Sequence, residues 1–151
     1  MKVKNEKMKT IKILDLDDFG AIEFFEHGAF LDSIQGVKFF DNGWGVSIIC
    51  KCDEVEIINR EKIAIRGIYS TSCGRWEDGT FELAVIQGNL QSSYFVVNEF
   101  LQYKDDEYLH NDGIWRFKTV DKVKEIISMI KSLDKITRIP TNDEEIKNDK
   151  I

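Results

Sequence analysis

Three cysteines and two histidines supply the most reactive side chains of this sequence: Cys50, Cys52, Cys73, His27 and His110. If residues 46–52 form a strand, side chains alternate with period two and Cys50 and Cys52 point to one face. With Cys73 and either histidine they would make a Cys3His donor set, the chemistry of tetrahedral zinc. The spacing is poor for it, because zinc ligand pairs usually sit roughly two to four residues apart on a turn, whereas C-x-C in mid-strand holds its sulfurs rigidly. An odd number of cysteines also argues against a disulfide framework. Buried, reduced thiols acting as small hydrophobes are the better reading, and no metal or cofactor is expected.

His27 lies in Phe24-Phe25-Glu26-His27-Gly28 and His110 in Tyr108-Leu109-His110-Asn111-Asp112-Gly113, both ahead of glycine-containing turns. A catalytic histidine needs a nucleophile or an orienting carboxylate brought to it in space. The sequence has no G-x-S-x-G, no phosphate-binding G-x-x-x-x-G-K-[ST], no H-E-x-x-H and no EF-hand loop. Ser72, Cys73, the histidines and scattered carboxylates therefore name no reaction, and the chain is read as a binding protein with turn histidines rather than an enzyme.

Charge bounds the partners. Twenty-one Lys and Arg against 27 Asp and Glu give a net charge of −6 over 151 residues, which works against a nucleic-acid footprint built on clustered cations. Asp15, Asp17, Asp18, Glu23 and Glu26 form a stretch without Lys or Arg, and Asp105, Asp106 and Glu107, followed by Asp112, form a second. Such groups are most often solvated faces and less often docking surfaces for a basic partner. No apolar run reaches the ~18 residues of a membrane span, and the N-terminal segment lacks a secretory pattern, so the expected location is cytoplasmic, the host cytoplasm if the protein is viral, with no membrane partner.

The elements that must position these residues follow from hydrophobic periodicity. Residues 1–9, with Lys2, Lys4, Lys7 and Lys9, read as a flexible arm, 10–139 as one α+β domain and 140–151 as a frayed polar tail. Residues 10–16 alternate as a strand with Ile11 and Ile13 on one side. From Asp17 or Asp18 the pattern fits a short helix through Phe25, with a strand from Ala21 to Phe25 nearly as good. Asn42-Gly43 between the apolar runs 37–40 and 46–50 marks a hairpin. The second strand is expected to run on to Ile58 and pair with 63–69 as a long hairpin. Asp78-Gly79 reads as another hairpin turn between 75–77 and 80–86. Residues 93–97 suit a strand, the acidic connection from Glu99 to Gly113 is long, and 114–117 is too short to classify alone. Thr119 caps a helix in which Val120, Val123, Ile126, Ile127, Ile130 and Leu133 form one stripe. The expected fold is an antiparallel sheet of about five to seven strands with this C-terminal helix on one face.

The segments Phe40-Asp41-Asn42-Gly43-Trp44-Gly45-Val46-Ser47-Ile48-Ile49 and Gly79-Thr80-Phe81-Glu82-Leu83-Ala84-Val85-Ile86, followed by an amphipathic helix, resemble a group of small, uncharacterised bacteriophage proteins with an F-x-N-G-x-G-x-S-[VI] start and a G-x-[FLY]-E-[LV]-A-V core. The resemblance covers residues 37–133 with an insertion around 52–69. Trp44 stands where tyrosine is commoner, and the Asp/Thr-Pro segment expected after Ile86 is missing. It implies phage or prophage origin and supplies no catalytic residues. Small acidic phage accessory proteins often bind and block a host protein, so the leading expectation is inhibition of a host protein, such as a defence nuclease, in the manner of an anti-CRISPR. A toxin-neutralising immunity protein and a small enzyme of unidentified reaction are the alternatives, and a homo-oligomer using a free sheet edge stays open. A partner site would use aromatic anchors within an acidic rim: Trp44 and Trp76, beside turns where exposure is easiest, with Asp105, Asp106, Glu107 and Tyr108. Tyr94, Tyr103 and Trp115 are further aromatic candidates. For each, ordinary packing is the competing reading.

Overall fold

A computed structural model describes residues 9–67, 74–90, 93–96 and 113–135, with backbone only at 89, 90 and 93–96. β1 (Thr10–Asp15), β2 (Ala21–Glu26), β3 (Ser33–Phe39) and β4 (Trp44–Lys51) form an antiparallel meander, each strand pairing with the next. β5 (Phe81–Leu90) follows on β4, and its far edge is shared by β6 (Ser93–Val96) and β7 (Ile114–Lys118), giving a seven-stranded sheet. Ile86 pairs with Val96 and Ala84 with Ile114, both antiparallel. β6 and β7 thus run in one direction along one edge, and the chain between them departs and returns at neighbouring sheet positions.

The helix expected at the end of the sequence is α3 (Val120–Lys131), with Thr119 accepting a hydrogen bond from the Lys122 amide as N-cap. Its buried stripe, Val123, Ile126, Ile127 and Ile130, packs with Val46, Ile48, Leu83, Val85 and Trp115 in one hydrophobic cluster. Full burial of each such side chain is worth roughly 1.5–3 kcal/mol. The architecture is therefore α+β, an antiparallel sheet with the C-terminal helix on one face, as the periodicity implies. Gly36 in β3 permits a close crossing: a Cβ there would lie 2.7 Å from the Ile22 side chain and 3.0 Å from the Phe24 ring.

Several local readings are corrected. Between Asp17 and Glu26 the longer helix does not form; Asp17–Phe19 make a single 3-10 turn and β2 follows. In β1 the alternation is out of phase, because the pairing slips between Thr10 and Lys12. That bulge turns Leu14 and Leu16 into the core and leaves Ile13 58% exposed.

The largest correction lies after β4, which ends at Lys51 instead of running to Ile58. Residues beyond it form α1 (Asp53–Ile58) and α2 (Arg60–Arg66), so no hairpin spans 46–69. Two buried residues, Val55 and Asn59, sit four apart, a helical step, and Ile63 continues the row half-buried. Three acidic residues, Asp53, Glu54 and Glu56, favour the positive end of α1. Asn59 anchors the bend between the helices by donating its amide to Glu26 Oε2 at 2.6 Å and to the Leu31 carbonyl at 2.7 Å. Asp78-Gly79 is likewise no hairpin turn. Trp76–Asp78 form a 3-10 turn closed by Gly79 at φ 68°, and Arg75 meets β4 through a parallel bridge to Lys51.

Candidate functional site

The β3–β4 turn carries the first aromatic candidate, and its hydrogen bonds explain why it is not a free anchor. Asn42 donates its side-chain amide to the Ile130 carbonyl at 2.9 Å and the Leu133 carbonyl at 3.1 Å, and its Oδ1 accepts from the Trp44 amide at 3.1 Å. Trp44 Nε1 donates to the Asp134 carbonyl at 3.0 Å. Together the two side chains donate to the carbonyl of Ile130, in the last turn of α3, and to those of Leu133 and Asp134 just beyond it. The Trp44 ring is half-buried against the core. This residue staples the hairpin to the helix.

Trp76 is also half-buried. Its ring meets Phe24 edge-on at 5.5 Å and Phe81 at 6.0 Å with an interplanar angle of 83°, the T-shaped geometry that aromatic quadrupoles favour. Trp44 begins β4, while Trp76 follows the residue bridged to Lys51, where β4 ends. At about 3.3 Å per residue their backbones stand roughly 20 Å apart along the strand, so the two residues serve opposite ends of it. Trp115 is fully buried in the core. Asp105, Asp106, Glu107, Tyr103, Tyr108, Cys73 and His110 lie outside the described residues, as do the sequence's expected tail and most of its arm; Tyr94 is described only in its backbone.

Among the described residues, the reactive groups Cys50, Cys52 and His27 serve the fold. Cys50 and Cys52 are free and buried, and burial pushes both thiols above their ordinary range, so neither is a thiolate nucleophile at neutral pH. Cys52 Sγ lies 3.9 Å from Glu77 Oε2. Among the described residues no group of three or more His, Cys, Asp or Glu is placed to hold a metal. His27 Nδ1 accepts hydrogen bonds from the amides of Ala29 at 2.9 Å and Phe30 at 3.2 Å, and burial lowers its pKa. Only the neutral ring can accept them, so this histidine closes its turn. In the first acidic stretch, Asp15 accepts from the Asp17 amide at 2.9 Å, Glu23 from the Thr10 hydroxyl at 2.6 Å, Glu26 from Asn59, and Asp17 pairs with Lys124. These carboxylates are mostly engaged by their own chain.

Among the described residues, the aromatic that reaches solvent is Phe117, 65% exposed. In β7, Trp115 pairs with Leu83 and Lys118 with Phe81. Two residues, Arg116 and Phe117, thus stand opposite the single residue Glu82, which is a β-bulge. Phe117 takes its left-handed position at φ 56°, a conformation ordinarily left to glycine and costing about 1 kcal/mol or more for a bulky residue. In an unbroken strand Phe117 would follow Trp115 into the core, since alternate residues share a face. The bulge instead rotates the ring outward.

Phe117 lines a concavity of about 290 Å³ with Lys51, Gly74, Arg75, Asp78 and Thr80. Arg75 is bound to the Asp53 carboxylate and lies 3.6 Å from Glu56, and Glu77 accepts from the Asp53 amide at 3.1 Å. The result is an apolar ring set beside Lys51, Arg75 and Asp78, with the carboxylates of Asp53, Glu56 and Glu77 gathered about Arg75. Such a surface suits contact with a protein surface, an apolar anchor encircled by polar groups. Sequence reading missed Phe117 because 114–117 has no period of its own and alternation assigns its ring to the core. Only the register against β5 reveals the bulge.

No protein-family model matches the sequence, and neither a curated protein nor a solved structure shows significant similarity to it.

Proposed function

We propose that this chain is a small acidic accessory protein of phage or prophage type that binds and inhibits a host protein, with a defence nuclease as the class its charge fits best. The observation that supports the binding role is Phe117, held at a positive φ with its ring in solvent beside Lys51, Arg75 and Asp78. Strain of this kind gathers where a side chain must be aimed. The net charge of −6 supports a basic partner, since complementary potentials accelerate encounter, and nucleases present cations to their phosphate substrates. Trp44 and Trp76 act in this reading as supports of the sheet, and Asp105, Asp106, Glu107 and Tyr108 remain proposed partner-binding residues.

Affinity capture from a host lysate tests the reading with the native chain and a Phe117→Gly variant. One enriched protein whose activity the native chain inhibits, and which the variant fails to retain, is the expected result. Absence of any specific partner from low to high salt would sink the proposal. Equal retention by the variant would relocate the site away from Phe117.

A further inference from the structure

The segment from Asp53 to Arg66 is apolar on two sides. Val55 and Asn59 are buried toward the sheet and Ile63 is half-buried, whereas Ile57, Ile58 and Ile65 are 60%, 68% and 82% exposed. Ile58 ends α1 and, across the bend at Asn59, Glu61 and Ile65 share one face of α2 at a four-residue step. Isoleucine is not a residue that helix propensity selects for an exposed position. Three of them on the solvent side of a short, bent helical pair mark a surface that is covered by something.

Charge identifies the cover. Every charged residue of α1 is acidic, Asp53, Glu54 and Glu56, while α2 carries Arg60, Lys62 and Arg66 against Glu61 alone. The α2 cations make no ion pair among the described residues, whereas the α1 carboxylates reach cations elsewhere, Glu54 at 3.4 Å from Lys12 and Asp53 and Glu56 at Arg75. A segment that is acidic at one end, basic at the other and apolar outward is complementary to itself when reversed. We propose that α1 and α2 form the contact between two copies of this chain, packed antiparallel about a two-fold axis.

In that arrangement Ile57 and Ile58 of one copy meet Ile65 of the other, and the acidic α1 lies over the basic α2 in both halves, as an isologous contact requires. The pair of helices spans about 20 Å at 1.5 Å per residue. Its footprint belongs to the weak class of interfaces, below about 1,200 Å². The axis passes near Glu61, which faces its own counterpart, so this carboxylate opposes the association it borders. The exposed isoleucines that carry this contact are separate from Phe117, while Asp53 and Glu56 of α1 also reach Arg75 beside it.

Sedimentation equilibrium of the full chain over about 10 to 500 μM, the range of weak interfaces, decides it. The apparent mass is expected to climb from 17.5 kDa toward twice that value. Ile65→Asp, at an exposed position that leaves the core untouched, is expected to hold the mass at the monomer, and Glu61→Gln to shift the transition to several-fold lower concentration. Glu54→Arg and Arg66→Glu should each weaken association, and the two together in one chain should restore it, because each new charge then meets the other across the axis. Near-UV circular dichroism checks that each variant keeps the native fold. A native chain that stays monomeric throughout overturns the proposal. So does a dimer indifferent to Ile65→Asp, or a double reversal no better than its single components.

Discussion

The two ends of β4 treat their aromatic residues in opposite ways. At its start, Trp44 has its indole N–H bonded to the end of α3 and its ring laid against the core. Beyond its end, Phe117 has a ring turned to solvent by a bulge in the neighbouring part of the sheet. Both residues belong to short apolar runs next to polar ones, and Trp44 even follows an Asn-Gly turn, the more exposed-looking context. What separates them is partner geometry. Trp44 meets the Asp134 carbonyl just past α3, whereas Phe117 sits where β7 has one residue more than β5 can match.

The comparison is broken most forcefully at Trp44. Trp44→Ala removes a half-buried ring and the hydrogen bond to Asp134, leaving Asn42 as the side chain of this turn that bonds the end of α3. A loss of about 2–3 kcal/mol is expected, below the range for fully buried tryptophan because part of the ring is already solvated. Urea titration measures it. A loss under about 0.5 kcal/mol, the scale of a neutral surface change, would mean that the staple is incidental and would return Trp44 to the list of docking anchors.

Phe117→Gly tests the opposite end with the opposite sign. Glycine accepts φ 56° without a Cβ clash, and the exposed ring contributes little to the core. Relief of the strain outweighs the added freedom of the unfolded chain, so a gain of about 0.5 kcal/mol is expected. The same thermal or urea measurement reads it. A gain in stability paired with loss of partner capture is the signature of a residue kept for function, while destabilisation by more than 1 kcal/mol, on the usual scale of structural substitutions, would assign Phe117 a packing role instead.

The parts of the fold that were legible in sequence are those governed by local period and by turn chemistry. α3 is long enough to show its stripe and carries its own cap, and the β3–β4 hairpin follows from Asn42-Gly43, with Phe39 opposite Gly45. The segment after Lys51 misled because Ile57 and Ile58 look like strand residues; their apolar character answers to solvent-side contact, while Val55 and Asn59 face inward. The candidate site was less legible still. Exposure of Trp44 depended on a helix end some ninety residues away in sequence, and exposure of Phe117 on a register shift against β5. Neither leaves a mark on the residues immediately around it.

His27 extends the comparison to a polar side chain, because it does for the β2–β3 turn what Asn42 does for the β3–β4 turn. Its Nδ1 lone pair receives the amides of Ala29 and Phe30, and a proton on that nitrogen would remove the acceptor. Burial lowers its pKa from the ordinary 6.5. Between that lowered value and 6.5 the unfolded chain therefore binds a proton that the folded chain does not, so folding stability declines as pH falls through this window and is fully present above it. Asparagine at position 27 offers an acceptor oxygen that does not titrate. Stability measured by urea from pH 7.5 to 5.5, buffers spanning the histidine range, should fall more steeply for the native chain than for His27→Asn. Parallel curves would show that His27 is protonated without cost, and would leave Asn42 as the turn residue whose side chain the backbone depends on.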